Sequence, residues 1–192
     1  MQSMEVKRIV APFEPGLARS LRCGDSVLLS GVVYAARDAA HRRLAQIAAE
    51  GGKMPFDLDG AVIYYVGPTP AKPGNPIGSA GPTTGYRMDA YAPALIRLGL
   101  AGMIGKGARS AEVARAMREC GAAYFAAIGG AGALLMRCVQ ASEIVAYEDL
   151  GAEAIRRLTI KDMPLRVALD SEGNDLYERG RADYLSARAN AP

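Results

Sequence analysis

Nineteen residues near the middle of the chain, GPTPAKPGNPIGSAGPTTG from Gly67 to Gly85, carry five prolines and five glycines. Proline locks φ and removes a backbone donor, glycine loosens the backbone, and neither a helix nor a sheet ladder tolerates that density of both. The stretch predicts a loop, and a loop of this length inside a compact domain is usually functional or disordered. Regular structure must therefore be built on either side of it.

Before the loop, Val6 to Ala11 and Ser26 to Tyr34 are apolar, β-branched-rich runs bounded by Pro, Gly and Asp, which predicts buried strands. From Asp38, an N-cap candidate, His41, Leu44, Ala45 and Ala48 fall at helical spacing until Gly51 and Gly52 supply a stop. Ala61 to Val66 predicts a third strand. After the loop, Met88, Tyr91, Leu95 and Ile96 share one helical face, with Pro93 near its start and Asp89 as cap. Met103 and Ile104 predict a short strand, and Ser110 caps a helix through Val113, Ala116, Met117 and Cys120 that ends at Gly121. A strand at Tyr124 to Ile128, a helix over Ala133 to Val139 and a strand at Glu143 to Tyr147 follow. Leu158 to Lys161 and Leu165 to Leu169 read as the arms of a hairpin, SEGND as a turn, and Leu176 to about Arg188 as a polar helix. Strands and helices alternate without internal repeats, which predicts an α/β fold with mixed sheets. The whole chain, 1–192, reads as a single domain with a core from about residue 6 to 174 and a polar helical extension beyond it.

Half of the residues are hydrophobic and 22% charged, which excludes disorder and fibrous architectures. The net charge of +3 is spread without blocks of one sign and aromatics are few, so there is no footprint for nucleic acid or an anionic membrane surface. The opening MQSMEVKRIVAPFEP lacks the apolar region of a signal peptide or anchor, making a cytoplasmic protein the expectation. The uncharged run from Cys120 to Met136 is shorter than the about 20 residues of a membrane span and carries four glycines. Cys23, Cys120 and Cys138 are widely spaced with no C-x-x-C, and His41 is the only histidine, which argues against disulfide scaffolds, zinc ribbons and self-contained iron-sulfur sites.

Two segments combine backbone punctuation with reactive side chains. In SGVVYAARDAAH a predicted strand hands over to a helix at Arg37 and Asp38, where helix N–H groups and a guanidinium suit a small anion. Taken alone, Arg37 is better explained as a surface partner of Asp38 or a carbonyl cap. In GPTTGYRMD, the hydroxyls of Thr83 and Thr84 and the fork of Arg87 sit on a Pro-fixed turn, a combination suited to a carboxylate or phosphate and equally to a polar turn with an exposed arginine. IGKGARS sets Lys106 between two glycines after a strand, without the G-x-x-x-x-G-K-[ST] of a P-loop. IGGAGALL lacks G-x-G-x-x-G spacing and predicts tight packing, His41 is expected to be a structural histidine on the apolar side of its helix, and DSEGND lacks alternating calcium ligands.

Taken in order, SGVVYAARDAAH, GPTTGYRMDAY, GMIGKGARS, FAAIGGAGALL and VAYEDLGAEAIRRL resemble the β subunit of two-subunit class I fumarate hydratases, from about Val6 to Asn174. GPTT-x-x-RMD followed by GKG is a specific signature of iron-sulfur hydro-lyases acting on fumarate and tartrate. The resemblance implies a swivelling β/β/α three-layer domain that closes over substrate held against a [4Fe-4S] cluster. In that family three cysteines of the α subunit bind the cluster, and the cysteines of this chain do not match those ligands, so the cofactor would come with a partner α subunit, in an α2β2 assembly. The isolated chain could then self-associate through surface meant for that partner. By resemblance, Thr83 would be the catalytic base, made competent by a carboxylate from the α subunit, while Arg37, Arg87 and Lys106 grip the carboxylates of a dicarboxylate substrate and Thr84 adds a hydroxyl contact. Iron as Lewis acid would hold the substrate hydroxyl while the base takes a carbon-bound proton.

RMD and YEDLGAEAIRRL favour hydration of fumarate to (S)-malate over an L-tartrate dehydratase or a mesaconate hydratase. A non-catalytic dicarboxylate-binding or assembly module would need only the cations and not Thr83. A nucleotide-binding domain would need a phosphate motif that the chain lacks.

Overall fold

The computed structural model of the protein describes residues 5–189. The first four residues of the opening stretch and the last three of the chain lie outside that range.

The predicted first strands form as β1 (Val6–Ala11) and β2 (Ser26–Ala35), paired in parallel from Val6 opposite Ser26 to Ala11 opposite Gly31, with α1 (Leu17–Ser20) between them. The close approach at the end of that pair requires glycine: Gly31 has φ of 102°, and a Cβ on it would lie 2.1 Å from the Ala11 carbonyl oxygen. Helix α2 (Asp38–Glu50) ends at Gly51 in the left-handed conformation. Three short strands then run parallel to β2: β3 (Val62–Tyr64), β4 (Gly102–Gly105) and β5 (Ala123–Ala126). Between β3 and β4 come the long loop, a 3-10 turn (Gly85–Met88) and α3 (Ala92–Arg97), which carries Pro93 in its first turn. Helix α4 (Ala111–Cys120) joins β4 to β5, and its N-cap Ser110 accepts a hydrogen bond from the Val113 amide at 3.3 Å. The chain continues through α5 (Gly132–Arg137), β6 (Val139–Ala146), a 3-10 segment (Glu148–Glu153), β7 (Ile155–Leu169) and α6 (Leu176–Ala189).

The sheet is mixed. Strand β7 runs antiparallel to β2, β5 and β6, so the pairings β2–β3–β4–β5–β7–β2 close on themselves. Side chains alternate along each strand, and both faces are covered. On one face Val27, Leu29 and Val33 meet Val62, Tyr64, Ile104, Phe125 and Val167. On the other, Ile63, Tyr65, Met103 and Tyr124 pack against Leu44 of α2, Leu95 and Ile96 of α3 and Val113 and Met117 of α4. Each such aliphatic side chain taken from water contributes about 1.5–3 kcal/mol.

Three local expectations are corrected. The hairpin expected between Leu158 and Leu169 is one continuous strand, β7, with a bulge: two residues, Lys161 and Asp162, stand opposite Ser30 alone. Asp162 takes up the extra length at φ of 49°, and its amide donates to Ser30 Oγ at 2.9 Å. Asp38 is the first helical residue of α2 rather than its N-cap, and Asp89 does not cap α3; Tyr91 does. Both carboxylates are held by distant arginines.

Candidate functional site

Parallel strands β2 to β5 all point their carboxyl ends to one side of the ring, the side on which ligands gather in parallel α/β folds, closed or open. Arg37 follows the end of β2, the long loop follows β3, Lys106 follows β4 and the glycines of IGG follow β5. The candidate residues, though scattered in sequence, therefore meet at one edge.

The loop returns to that edge as a further rung. The Thr83 amide donates to the Tyr65 carbonyl at 2.7 Å, the Lys106 amide to the Thr83 carbonyl at 3.2 Å, and the Gly85 amide to the Lys106 carbonyl at 2.7 Å. Thr84 and Lys106 thus face each other in a parallel bridge. Thr83 is buried at 8% exposure, whereas Lys106 reaches solvent past Gly129. The turn after Lys106 is held from α6: the Gly107 amide donates to the Tyr177 hydroxyl at 2.9 Å.

The 3-10 turn that begins at Gly85 brings Arg87 back toward α2, where its Nε donates to Asp38 Oδ1 at 2.8 Å. Arg37, in extended conformation just before α2, pairs through Nη2 with Glu153 Oε1 at 3.0 Å. Glu153 Oε2 also accepts from the Ala39 amide at 2.8 Å, so this distant carboxylate does the work of an N-cap. The backbone of Gly67, where the loop begins, lies against the Arg37 guanidinium: a Cβ there would come within 2.9 Å of Nε. Arg37 Nε and Asp38 Oδ2 are buried without hydrogen-bond partners among the described residues. Arg37, Arg87 and Lys106 outnumber the carboxylates of Asp38 and Glu153, which leaves this edge of the protein with an excess of positive charge toward an anion.

A buried layer that the sequence reading missed lies behind this edge. The Arg109 side chain, 1% exposed, donates through Nε to Asp89 Oδ1 at 2.6 Å, and Asp89 Oδ2 accepts from the Ser110 amide at 2.6 Å. The guanidinium lies over the rings of Tyr124 and Tyr65, at 4.7 and 5.3 Å from their centroids. Burial pushes both phenols above their ordinary range. His41 meets Tyr65 edge-on at 5.2 Å and lies 3.1 Å through Nδ1 from the Arg37 carbonyl; burial is the main reason its imidazole is lowered to about 4. Arg109 and Asp89 stand inside GKGARS and GYRMD, but nothing in those strings signals that the two are buried together. Glu153 likewise gives no local sign of reaching α2.

Among the described residues no group of three or more His, Cys, Asp or Glu side chains could hold a metal ion. The cysteines are free: Cys23 lies against the Ala168 carbonyl, Cys138 against the Leu134 carbonyl, and Cys120 is exposed at the end of α4. Burial raises the thiols of Cys23 and Cys138 above their ordinary value, the opposite of what a ligating thiolate needs. These thiols do not fit an iron-sulfur cluster. No helix among the described residues is long and apolar enough to cross a membrane.

Comparison with known proteins converges on the same segments. Residues 8–180 match the family model described as fumarase C-terminus. The chain is 37% identical over 153 residues to the anaerobic class I fumarate hydratase of Escherichia coli, covering 79% of this chain and 28% of that protein. It is 34% identical over 158 residues to fumarate hydratase 2 of Leishmania major, covering 81% and 28%. A Methanocaldococcus jannaschii protein provisionally named L(+)-tartrate dehydratase subunit beta is 37% identical over 166 residues, 83% of this chain and 85% of that subunit. The chain thus spans little more than a quarter of these two fumarate hydratases and nearly the whole of the separate subunit. With a family match running from β1 into α6, through every residue gathered at the carboxyl edge, the chain belongs to the fumarase C-terminus family.

Proposed function

We propose that the chain is the β subunit of a two-subunit hydro-lyase that hydrates fumarate to (S)-malate, working with a cluster-bearing α subunit in the cytoplasm, in an α2β2 assembly. The [4Fe-4S] cluster belongs to the partner. The single observation that carries the reading is the joining of a buried threonine to three cations at one strand edge: Thr83 and Lys106 share a backbone ladder, and the turn that follows Thr84 delivers Arg87 beside the Arg37–Asp38 corner. The Methanocaldococcus jannaschii subunit, which matches nearly end to end, supports a separate β chain.

Each residue type has a chemical reason. The substrate is a dianion, and Arg37, Arg87 and Lys106 supply charge-assisted contacts to its two carboxylates. In the dehydration direction a proton must leave a carbon next to one carboxylate, and negative charge spreads onto that carboxylate as it goes. The cations stabilise this charge most strongly in the transition state, and Thr83 Oγ1 takes the proton; in hydration it returns it to the same carbon. A threonine hydroxyl is a weak base and needs a neighbouring carboxylate to hold its own proton, which the partner contributes. Thr84 adds a hydroxyl donor to a substrate oxygen. The name carried by the Methanocaldococcus jannaschii relative supports a second substrate, L-tartrate, which differs from malate by a hydroxyl that pocket contacts must discriminate.

The test is anaerobic hydration of fumarate by this chain alone and together with a cluster-loaded α subunit, with L-tartrate and mesaconate in parallel. Turnover of fumarate only in the mixture is the expected result. Faster turnover of tartrate or mesaconate would reassign the substrate, and dicarboxylate binding without turnover by an intact complex would make the chain a binding module.

A further inference from the structure

We infer that Arg109 is a positioning residue for the Thr83–Thr84 loop and the Lys106 turn, acting through the buried Asp89 pair and the two tyrosines that flank it; the inference rests on the proposed role of those residues in substrate chemistry. Four contacts point the same way. Asp89 ends the GPTTGYRMD segment, and Arg109, a few residues past the end of β4, fixes it with a 2.6 Å bond. Tyr124, stacked under the guanidinium, presses its hydroxyl against the loop just after Thr84 and against the end of β4 just before Lys106: a Cβ on Gly85 would lie 2.6 Å from that oxygen, and one on Gly105 3.0 Å from it. Arg109 Cδ itself would be 2.9 Å from a Cβ on Gly85. Tyr65, on the other ring contact, holds the Thr83 amide through its carbonyl and packs its ring edge against Gly105. One guanidinium therefore sets the seat on which Thr83, Thr84 and Lys106 lie, while its own charge is answered by Asp89 and stays out of reach of substrate.

The arrangement is not fully satisfied by protein alone. Among the described residues Arg109 Nη2, Tyr65 Oη and Tyr124 Oη have no hydrogen-bond partner, although all are shielded from solvent. Groups of this kind are ordinarily completed by internal water or held back as a source of adjustment at a functional site.

Removing Arg109 alone would strand the Asp89 charge and risk the fold, so the test uses the charge-balanced double variant Asp89→Asn with Arg109→Met, in which the amide oxygen can still accept from Ser110. Amide hydrogen exchange on the full chain reads the ladder donors Thr83, Gly85 and Lys106 against reference amides in α2 and in the β2–β7 pairing. The expected result is exchange at least about tenfold faster at the three ladder amides with the references unchanged. In the complex with the α subunit, kcat should fall at least about tenfold with KM within about twofold, and Arg109→Lys should recover part of it. Unchanged exchange at Thr83, Gly85 and Lys106 would overturn the inference, as would an equal rise at every amide, which would mark Arg109 as ordinary core. A wild-type complex that turned over no dicarboxylate would sink the proposed function instead, and the exchange result would still decide the role of Arg109.

Discussion

Lowering the pH from 7 to 4.5 perturbs this protein at a place that can be worked out, because His41 is its only histidine. The ring is fully buried in α2 against Tyr65. Burial is the main cause that lowers its pKa, Arg109 lowers it further, and the hydrogen bond to the Arg37 carbonyl and the charge of Asp38 oppose them, leaving the imidazole at about 4 against an ordinary 6.5. The sign follows from which state takes the proton first. Between these two values the unfolded chain is protonated and the folded chain is not, so the stabilisation is fully present above pH 6.5 and drains away as the pH falls toward 4. Integrating the linkage from pH 7 to 4.5 gives a loss of about 2 kcal/mol from this one group. Carboxylates titrate at the lower end of the same range, so the assay compares urea unfolding of wild type and His41→Phe at both pH values, and the difference of the two differences isolates the imidazole. Equal pH dependence in the two proteins would refute the reasoning, and so would a His41 ring proton resonance titrating near 6.5.

The remaining predictions concern the strand edge. Thr83→Ala in the complex should lower kcat far more than it raises KM, since a base acts mainly in the transition state; a loss confined to KM would make Thr83 a binding residue. Arg87→Ala should lose affinity and rate together, about 1.5–3 kcal/mol in kcat/KM for one charge-assisted contact, and unchanged kinetics would remove Arg87 from the site. Glu153→Gln keeps an oxygen for the Ala39 amide but releases Arg37 from a partly exposed ion pair. Dicarboxylate binding measured by calorimetry should tighten by about 0.5–1 kcal/mol, and weaker binding would show instead that Glu153 orients Arg37. Helix α6 buries none of its residues and is tied to the Lys106 turn by the Tyr177 hydroxyl; Tyr177→Phe should therefore speed proteolytic cleavage within α6 with the midpoint of global unfolding unchanged.

Elements set by local chemistry were legible in the chain before any coordinates. The β1 and β2 runs, the glycine stop of α2 and the serine cap of α4 depend on a few adjacent residues and form where the pattern puts them. The β7 strand was misread because KDMP is turn chemistry, with Asp162 able to take positive φ and Pro164 unable to donate to a ladder. What decides the outcome is β2, which pairs on both sides of the bulge, and a partner so distant in sequence leaves no periodic trace. Asp38 and Asp89 were assigned to the nearest helix for the same reason. Their real partners, Arg87 and Arg109, are 49 and 20 residues away. The candidate site was readable as residue types in short strings, and the shared edge that unites them comes from the parallel order of β2 to β5, which no string contains.

The closed ring of strands also dictates when the protein can exist during its own synthesis. Its clasp is β7, which pairs with β2, β5 and β6 and is made only from residue 155 onward. Until that segment leaves the ribosome, β2 offers an unpaired edge along almost its full length, and the apolar side chains of Val27, Leu29 and Val33 have lost one wall of their surroundings. Contacts this distant in sequence are slow to form. The nascent chain therefore waits, sticky and incomplete, for its last strand, and a ribosome stalled before Ile155 would release a template for aggregation rather than a smaller domain.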